Sequence, residues 1–251
     1  MGAGDRAPLR EAPPDFGMPD FVTAVKVRQF YDPGSSTYSY LLHRPGGSRA
    51  VVIDPTEAGV SLMLQTAGEM GVTIRLSLET HVHADHVTGA HQLREETGCR
   101  ILVGRESGLA CASGFFSDGD RIGEDGLSLT ALYTPGHTDD SYCFLGSGCL
   151  FTGDTLLIRG TGRTDFQNGD PRAAYRSLLT KVLVLEDETV VFPGHDYRGM
   201  TSSTIGEERR HNPRLQVRDA EEYAALMSAL RPPPPQRLDE AVSRNRRCGA
   251  P

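Results

Sequence analysis

The chain has 251 residues, enough for one large domain, and its 38% hydrophobic and 24% charged residues are ordinary for a globular protein. A formal charge of −7 supplies no basic field for nucleic acid or an anionic membrane, although single basic residues can still hold an acidic substrate. No stretch approaches 18 consecutive apolar residues and no basic-then-apolar signal opens the chain, so a soluble, cytoplasmic protein is expected.

Residues 1–20 are rich in proline and glycine, without a hydrophobic period, and are expected to form a flexible arm. A single domain is expected over residues 21–251. Segments 22–30, 38–43 and 50–53 are rich in β-branched and aromatic residues, and Asp32-Pro33-Gly34 and Pro45-Gly46-Gly47 between them read as turns, so the domain opens with antiparallel strands. Over residues 57–70, Val60, Leu62, Met63, Leu64, Ala67 and Met70 recur at helical spacing, and Gly71 stands where a helix stops. Residues 74–78 alternate as a strand, a helix follows His86 up to Gly98, and a strand covers 100–103. The second half repeats this logic, with strands predicted at 127–133, 142–145, 149–151 and 189–192 and a helix at 171–183. Two β-rich halves predict a sandwich of sheets with helices outside. From Arg231 the tail is expected to be loop-like, starting with Pro232 to Pro235, and to lie over the domain or a partner chain.

Five cysteines (Cys99, Cys111, Cys143, Cys149 and Cys248) are odd in number and form no CxxC pair. That pattern argues against a disulfide framework, fits a reducing compartment and excludes a thiolate metal site.

Thr80 to Gly89 places three imidazoles and a carboxylate, His81, His83, Asp85 and His86, within six residues directly after a predicted strand. Packing alone does not cluster such hydrophilic groups, and imidazole with carboxylate suits zinc, iron or manganese. Further donors follow segments that read as strands: Gly136-His137, Gly153-Asp154 and Gly194-His195. Glycine lets the backbone turn sharply or approach closely, so the next side chain can point at a common centre. His43, His91 and His211 lack this context. By residue type alone the seven candidates suffice for two metals bridged by Asp154, and two zinc ions imply hydrolysis by a metal-bound hydroxide.

The Thr-His-x-His-x-Asp-His run at 80–86, with His137, Asp154 and His195 following in order, resembles the metallo-β-lactamase superfamily over about residues 21–215. The resemblance implies an α/β fold, the αββα sandwich of two mixed β-sheets flanked by helices, with its site at one edge of the sheets. Residues 156–167 (Leu-Leu-Ile-Arg-Gly-Thr-Gly-Arg-Thr-Asp-Phe-Gln), His195-Asp196-Tyr197, Glu207-Glu208-Arg209 and Asn212-Pro213-Arg214 are similar to the persulfide dioxygenases, or sulfur dioxygenases, relatives of the glyoxalase II hydrolases. Thr161 departs from the mitochondrial members, which carry cysteine there, so no thiol role is carried over.

This likeness implies one Fe(II) per chain held by His81, His137 and Asp154, with His83, Asp85, His86 and His195 around them as hydrogen-bonding residues. It further implies glutathione persulfide and O2 as partners, sulfite and glutathione as products in sulfide detoxification, and a possible homodimer. The alternative is a glyoxalase II-like zinc hydrolase of glutathione thioesters. Glutathione carboxylates need cations and donors, for which Arg163, Tyr197 and Arg214 are the candidates. Arg163 has a rival reading as a structural arginine paired with Asp165, Asp196 or another acid.

Overall fold

A computed structural model describes residues 25–233 and 237–251, so the expected arm at 1–20 lies outside the described residues. The first sheet comprises β1 (Lys26–Asp32), β2 (Thr37–His43), β3 (Arg49–Ile53), β4 (Thr73–Leu78), β5 (Arg100–Gly104) and β6 (Gly114–Phe116), side by side in chain order. β1 to β3 pair antiparallel through short turns. β3 to β6 pair parallel, and helices α1 (Val60–Glu69) and α2 (Ala90–Thr97) return the chain between the first three of them. The second sheet holds β7 (Arg121–Ile122), β8 (Leu129–Tyr133), β9 (Tyr142–Gly146), β10 (Cys149–Gly153), β11 (Val190–Pro193) and β12 (Ser203–Thr204), again neighbours in chain order. It is antiparallel except at β10 and β11, where α3 (Pro171–Ser177) makes the crossover.

Strand alternation builds the layers. In β2, Tyr40 and Leu42 face the space between the sheets while Leu41 packs toward α1. The layer between the sheets also takes Phe116, Tyr142, Phe144 and Phe151, and each such side chain contributes roughly 1.5–3 kcal/mol on burial. Met63 of α1 and Leu93 of α2 cover the outer face of the first sheet. Leu178, Tyr223 and Met227 cover the second, the latter two from α5 (Ala220–Ala229). The result is the expected αββα sandwich of two mixed sheets. β4 departs from strict alternation: its register shifts opposite Ala50 and Val51, so Ile74 packs on the helix side while Leu76 and Leu78 face inward.

The expected helix at 171–183 starts on an Asp170 cap and Pro171, then widens into a π-helical turn at Leu178–Val182. Strands β6, β7 and β12 have two or three residues each and carry no readable period. Helices α4 (Ile205–His211) and α5 were likewise unforeseen. The tail is not loop-like throughout, because beyond the prolines α6 (Leu238–Asn245) docks on the domain with Ala241 and Asn245 buried. Cysteine reasoning also fails at one pair: Cys111 and Cys248 form a disulfide across 137 residues, a separation that leaves no local signature. Cys99, Cys143 and Cys149 stay free, and burial pushes the Cys143 thiol up to about 11. Among the described residues, no helix is long and apolar enough to cross a membrane.

Candidate metal centre

Donors converge where the carboxyl ends of strands from both sheets meet. His81 follows β4, His137 follows β8, Asp154 directly follows β10 and His195 lies just past β11. Cross-sheet bonds close this edge: Tyr38 donates its backbone N–H to the Gly194 carbonyl at 2.7 Å, and the Tyr40 hydroxyl donates to the Pro193 carbonyl. Two of the glycines are required by space. Gly153 has φ +47°, and a Cβ there would stand 2.5 Å from Thr80 Oγ1; Gly136 has φ +146°, and a Cβ would collide with Ala174 of α3.

One ligand atom from each of His81, His137 and Asp154 lies within 4.8 Å of the other two. Their outer atoms are occupied by the protein. The Thr80 hydroxyl donates to Asp54 at 2.8 Å, so its oxygen is left to accept from His81 Nδ1 at 3.0 Å. His137 Nδ1 donates to the Arg163 carbonyl at 2.7 Å, and His195 Nδ1 donates to Asp154 Oδ1 at 2.6 Å. Both rings therefore keep Nε2 free, and Asp154 Oδ2 faces His137 Nε2 at 3.5 Å. Burial, together with the neighbouring His83 and His137 rings, lowers the pKa of His81 well below its usual value, so this imidazole is neutral. Burial alone would raise Asp154, but the charge of the His195 imidazole and its hydrogen bond outweigh it and hold this carboxyl well below the usual range. Two imidazoles and one carboxylate with these outer bonds fit a divalent metal ion.

Three of the other four candidates, Asp85, His86 and His195, hold one another. Asp85 Oδ2 accepts from Thr37 Oγ1 at 3.1 Å, His86 Nδ1 at 2.8 Å and His195 Nε2 at 3.0 Å. His195 thus bridges Asp154 and Asp85. Its burial opposes charging, but the two carboxylates raise its pKa well above the usual value. His83 turns away from the triad toward Asp54 and Glu79.

His137 and Asp154 of the triad line a cleft of about 780 Å³, together with Phe166, Tyr197 and Arg214 among others. Arg163 lines it too, yet its guanidinium is taken: Nε and one terminal nitrogen grip Asp165 at 2.6 and 2.8 Å, and the other donates to the Pro233 carbonyl at 2.7 Å. The rival structural reading therefore describes its side chain. Tyr197 is 72% exposed and stacks on the His195 ring. Arg214 is half-buried; one terminal nitrogen reaches Thr161, and no carboxylate is recorded against the guanidinium among the described residues.

Glu208 and Asn212 explain part of the motif that carried the resemblance. Glu208 is fully buried and accepts from the Arg159 backbone N–H, the Arg159 guanidinium and Ser203. Asn212 donates to the carbonyls of Leu157 and Gly160, so both residues knit the loop that carries Gly162 and Arg163. Sequence reasoning missed Asp54, Glu79 and Asn245. Asn245 accepts from Thr88 N–H at 2.9 Å and donates to the carbonyls of His83 and His86 at 2.9 and 2.8 Å, tying α6 to the histidine loop. Val51-Val52-Ile53-Asp54 repeats the strand-then-donor pattern and was a usable signal.

The metallo-beta-lactamase superfamily model matches residues 32–195. Mitochondrial persulfide dioxygenase ETHE1 of Bos taurus is 41% identical over 228 residues, which is 90% of this chain and 89% of that protein. The crystal structure of ETHE1 from Myxococcus xanthus matches with a TM-score of 0.87 and 44% identity, covering 90% of this chain and 100% of that one. TTHA1623, solved in a di-iron-bound form, matches at a TM-score of 0.63 and 26% identity over 74% of this chain and 99% of its own. The chain belongs to the persulfide dioxygenase family of the metallo-beta-lactamase superfamily.

Proposed function

We propose that this enzyme is an iron-dependent persulfide dioxygenase that oxidises glutathione persulfide with O2 and water to sulfite and glutathione. The observation that carries the reading is the triad, whose three donor atoms share one centre while their outer atoms are bonded to protein. Two imidazoles and one carboxylate leave three positions open on a six-coordinate ion, enough for sulfur and oxygen together. Ferrous iron bound there would supply the electron transfer that makes O2 reactive. In the balanced reaction the S–S bond breaks, the outer sulfur takes both oxygen atoms of O2 and one from water, and the inner sulfur leaves as thiol.

The chain's own residues bind and orient. His195 fixes Asp154 through Nδ1, which leaves Oδ2 turned to the centre. Thr80 and the Arg163 carbonyl fix the two ligand rings. Arg214, with no acid against it among the described residues, is the cation that receives a glutathione carboxylate, and Tyr197 borders the same cleft. A cleft of about 780 Å³ is within the size range of small-molecule sites, so the substrate's peptide portion fits beside the metal.

The test supplies the iron-loaded enzyme with glutathione persulfide and measures sulfite release against O2 uptake, with S-lactoylglutathione hydrolysis in parallel. Matched sulfite and O2 and about one iron per chain are expected. Activity on the thioester alone, with two zinc ions per chain, would overturn the reading.

A further inference from the structure

The chain's last turn of structure lies against the histidine loop, on the side away from the cleft. Asn245 accepts from the Thr88 N–H and donates to the carbonyls of His83 and His86. The Cys248 carbonyl accepts from the backbone N–H of His91, in the first turn of α2, at 3.0 Å. Arg244 closes the segment on itself through the Gly249 carbonyl at 2.8 Å and reaches Glu57 at 3.1 Å. One covalent bond joins these contacts, the disulfide from Cys248 to Cys111 in the loop after β5.

The two sulfurs stand in different surroundings. Cys248 is 2% exposed, packs with Ala90, Ile101, Val103 and Leu109, and borders a small cavity whose other walls include His81, His83 and Thr88. Cys111 is partly exposed, so it is the residue that a dissolved reagent reaches. The Arg94 guanidinium donates to the Cys111 carbonyl at 2.9 Å, and a cation there favours the approach of a thiolate. Without the disulfide, docking falls to the noncovalent contacts alone. Helix α6 has eight residues, too few to persist undocked, and only its Ala241 and Asn245 are buried.

We propose that Cys111–Cys248 is a thiol-reducible latch on the histidine loop: closed, it pins α6 and the residues after it behind the loop; opened by a low-molecular-weight thiol, it lets them loosen. A thiolate attacks the Cys111 sulfur, the protein S–S bond breaks, a mixed disulfide forms on Cys111, and Cys248 leaves as a thiolate that takes a proton from water. A second thiol releases the Cys111 thiol from the mixed disulfide. Two thiols are thereby oxidised to one disulfide while the protein disulfide gains two electrons and two protons. Glutathione, the thiol product of the reaction proposed above, is a reagent of this class, but the latch does not depend on that reading because any small thiol serves.

The experiment equilibrates the full, metal-loaded chain at rising ratios of glutathione to glutathione disulfide. Samples quenched with an alkylating agent report the state of the pair by peptide mass, and hydrogen exchange is followed in parallel. The pair is expected to open as the ratio rises, and exchange at the Thr88 and His91 amides and along α6 to quicken by about tenfold or more, while β9 in the core stays protected. Reoxidation is expected to restore slow exchange. Cys111→Ser is expected to exchange at the fast rate at every ratio, and Cys99→Ser, outside the pair, to follow the wild type. Where Cys111→Ser does not fold, the wild-type titration decides alone. Equal exchange in the open and closed enzyme, or a pair that stays closed throughout, overturns the inference. Faster exchange everywhere, β9 included, also overturns it, because the bond would then staple the whole domain rather than latch one loop.

Discussion

His81 and His83 stand two residues apart in one loop, with ring centroids 4.2 Å apart, and they are put to opposite uses. His81 gives its outer nitrogen to the Thr80 hydroxyl and keeps Nε2 for the centre; His83 turns Nε2 to Asp54 and Glu79. The two aspartates differ in the same way. Asp154 has Oδ1 held by His195 and Oδ2 open to the triad, whereas Asp85 Oδ2 is shared by Thr37, His86 and His195. Donor type does not decide which group binds a metal. Like donors here face different partners, and those partners orient each one.

The most direct way to break this comparison is to remove a member of each set. His137→Ala or Asp154→Ala is expected to abolish iron binding and with it sulfite formation, measured by elemental analysis and a sulfite assay. His195→Ala is expected to retain iron and slow turnover by roughly 10–100-fold, the usual cost of losing a residue that orients a ligand. Iron loss in His195→Ala equal to that in His137→Ala would end the distinction. A gentler change targets the device that frees His81. Thr80→Val keeps the volume but removes the acceptor for His81 Nδ1 and the donor to Asp54, and a fall of about tenfold in iron affinity is expected from competition with a chelator. Unchanged affinity would show that the ring does not depend on that hydroxyl.

How far the sequence could be read follows the same division. The donors and the strands before them were legible, since a polar ligand directly after a buried run, with glycine between, is a local pattern. The layers were legible from alternation in segments such as β2 and β3. What could not be read depends on distant partners. Asn245 lies about 160 positions from the carbonyls it binds, and Cys111 lies 137 residues from Cys248. The direction of the His83 ring depends on Asp54, 29 positions back, and on Glu79 at the end of a buried strand, where a charged residue was a signal that went unused. Arg163 and Arg214 are both cleft-lining arginines in the motif, and only the folded chain separates the guanidinium that grips a carboxylate from the one bonded to Thr161.

Asn245 allows the loop's two ends to be tested separately. Its three bonds reach the His83, His86 and Thr88 end of the loop and not His81. Asn245→Ala leaves two carbonyls and one N–H without their partner, so a stability loss of about 1–3 kcal/mol is expected in denaturant titration. Because His81 is held separately, the first metal ion is expected to stay bound at 1:1 in the folded variant. Loss of that ion at unchanged fold would mean that the loop moves as one piece and that the contrast between its histidines is not local.

The smallest effect, and the one that extends the comparison from metal donors to substrate donors, concerns the two arginines. Arg163 spends its guanidinium on Asp165 and the Pro232 and Pro233 carbonyls, so it braces the cleft wall. Arg214 faces the same cleft with no acid against it among the described residues, and burial lowers its pKa from the usual value. The proposed glutathione carboxylate would supply the opposite charge. Arg214→Ala is therefore expected to raise KM for glutathione persulfide by about tenfold with kcat nearly unchanged, since the lost contact serves substrate and transition state alike. Arg163→Lys, which keeps charge but loses the two-pronged grip on Asp165, is expected to change KM less and thermal stability more. The reverse order in steady-state kinetics would assign the carboxylate to Arg163 and show that its bonds to Asp165 and the proline carbonyls give way when substrate binds.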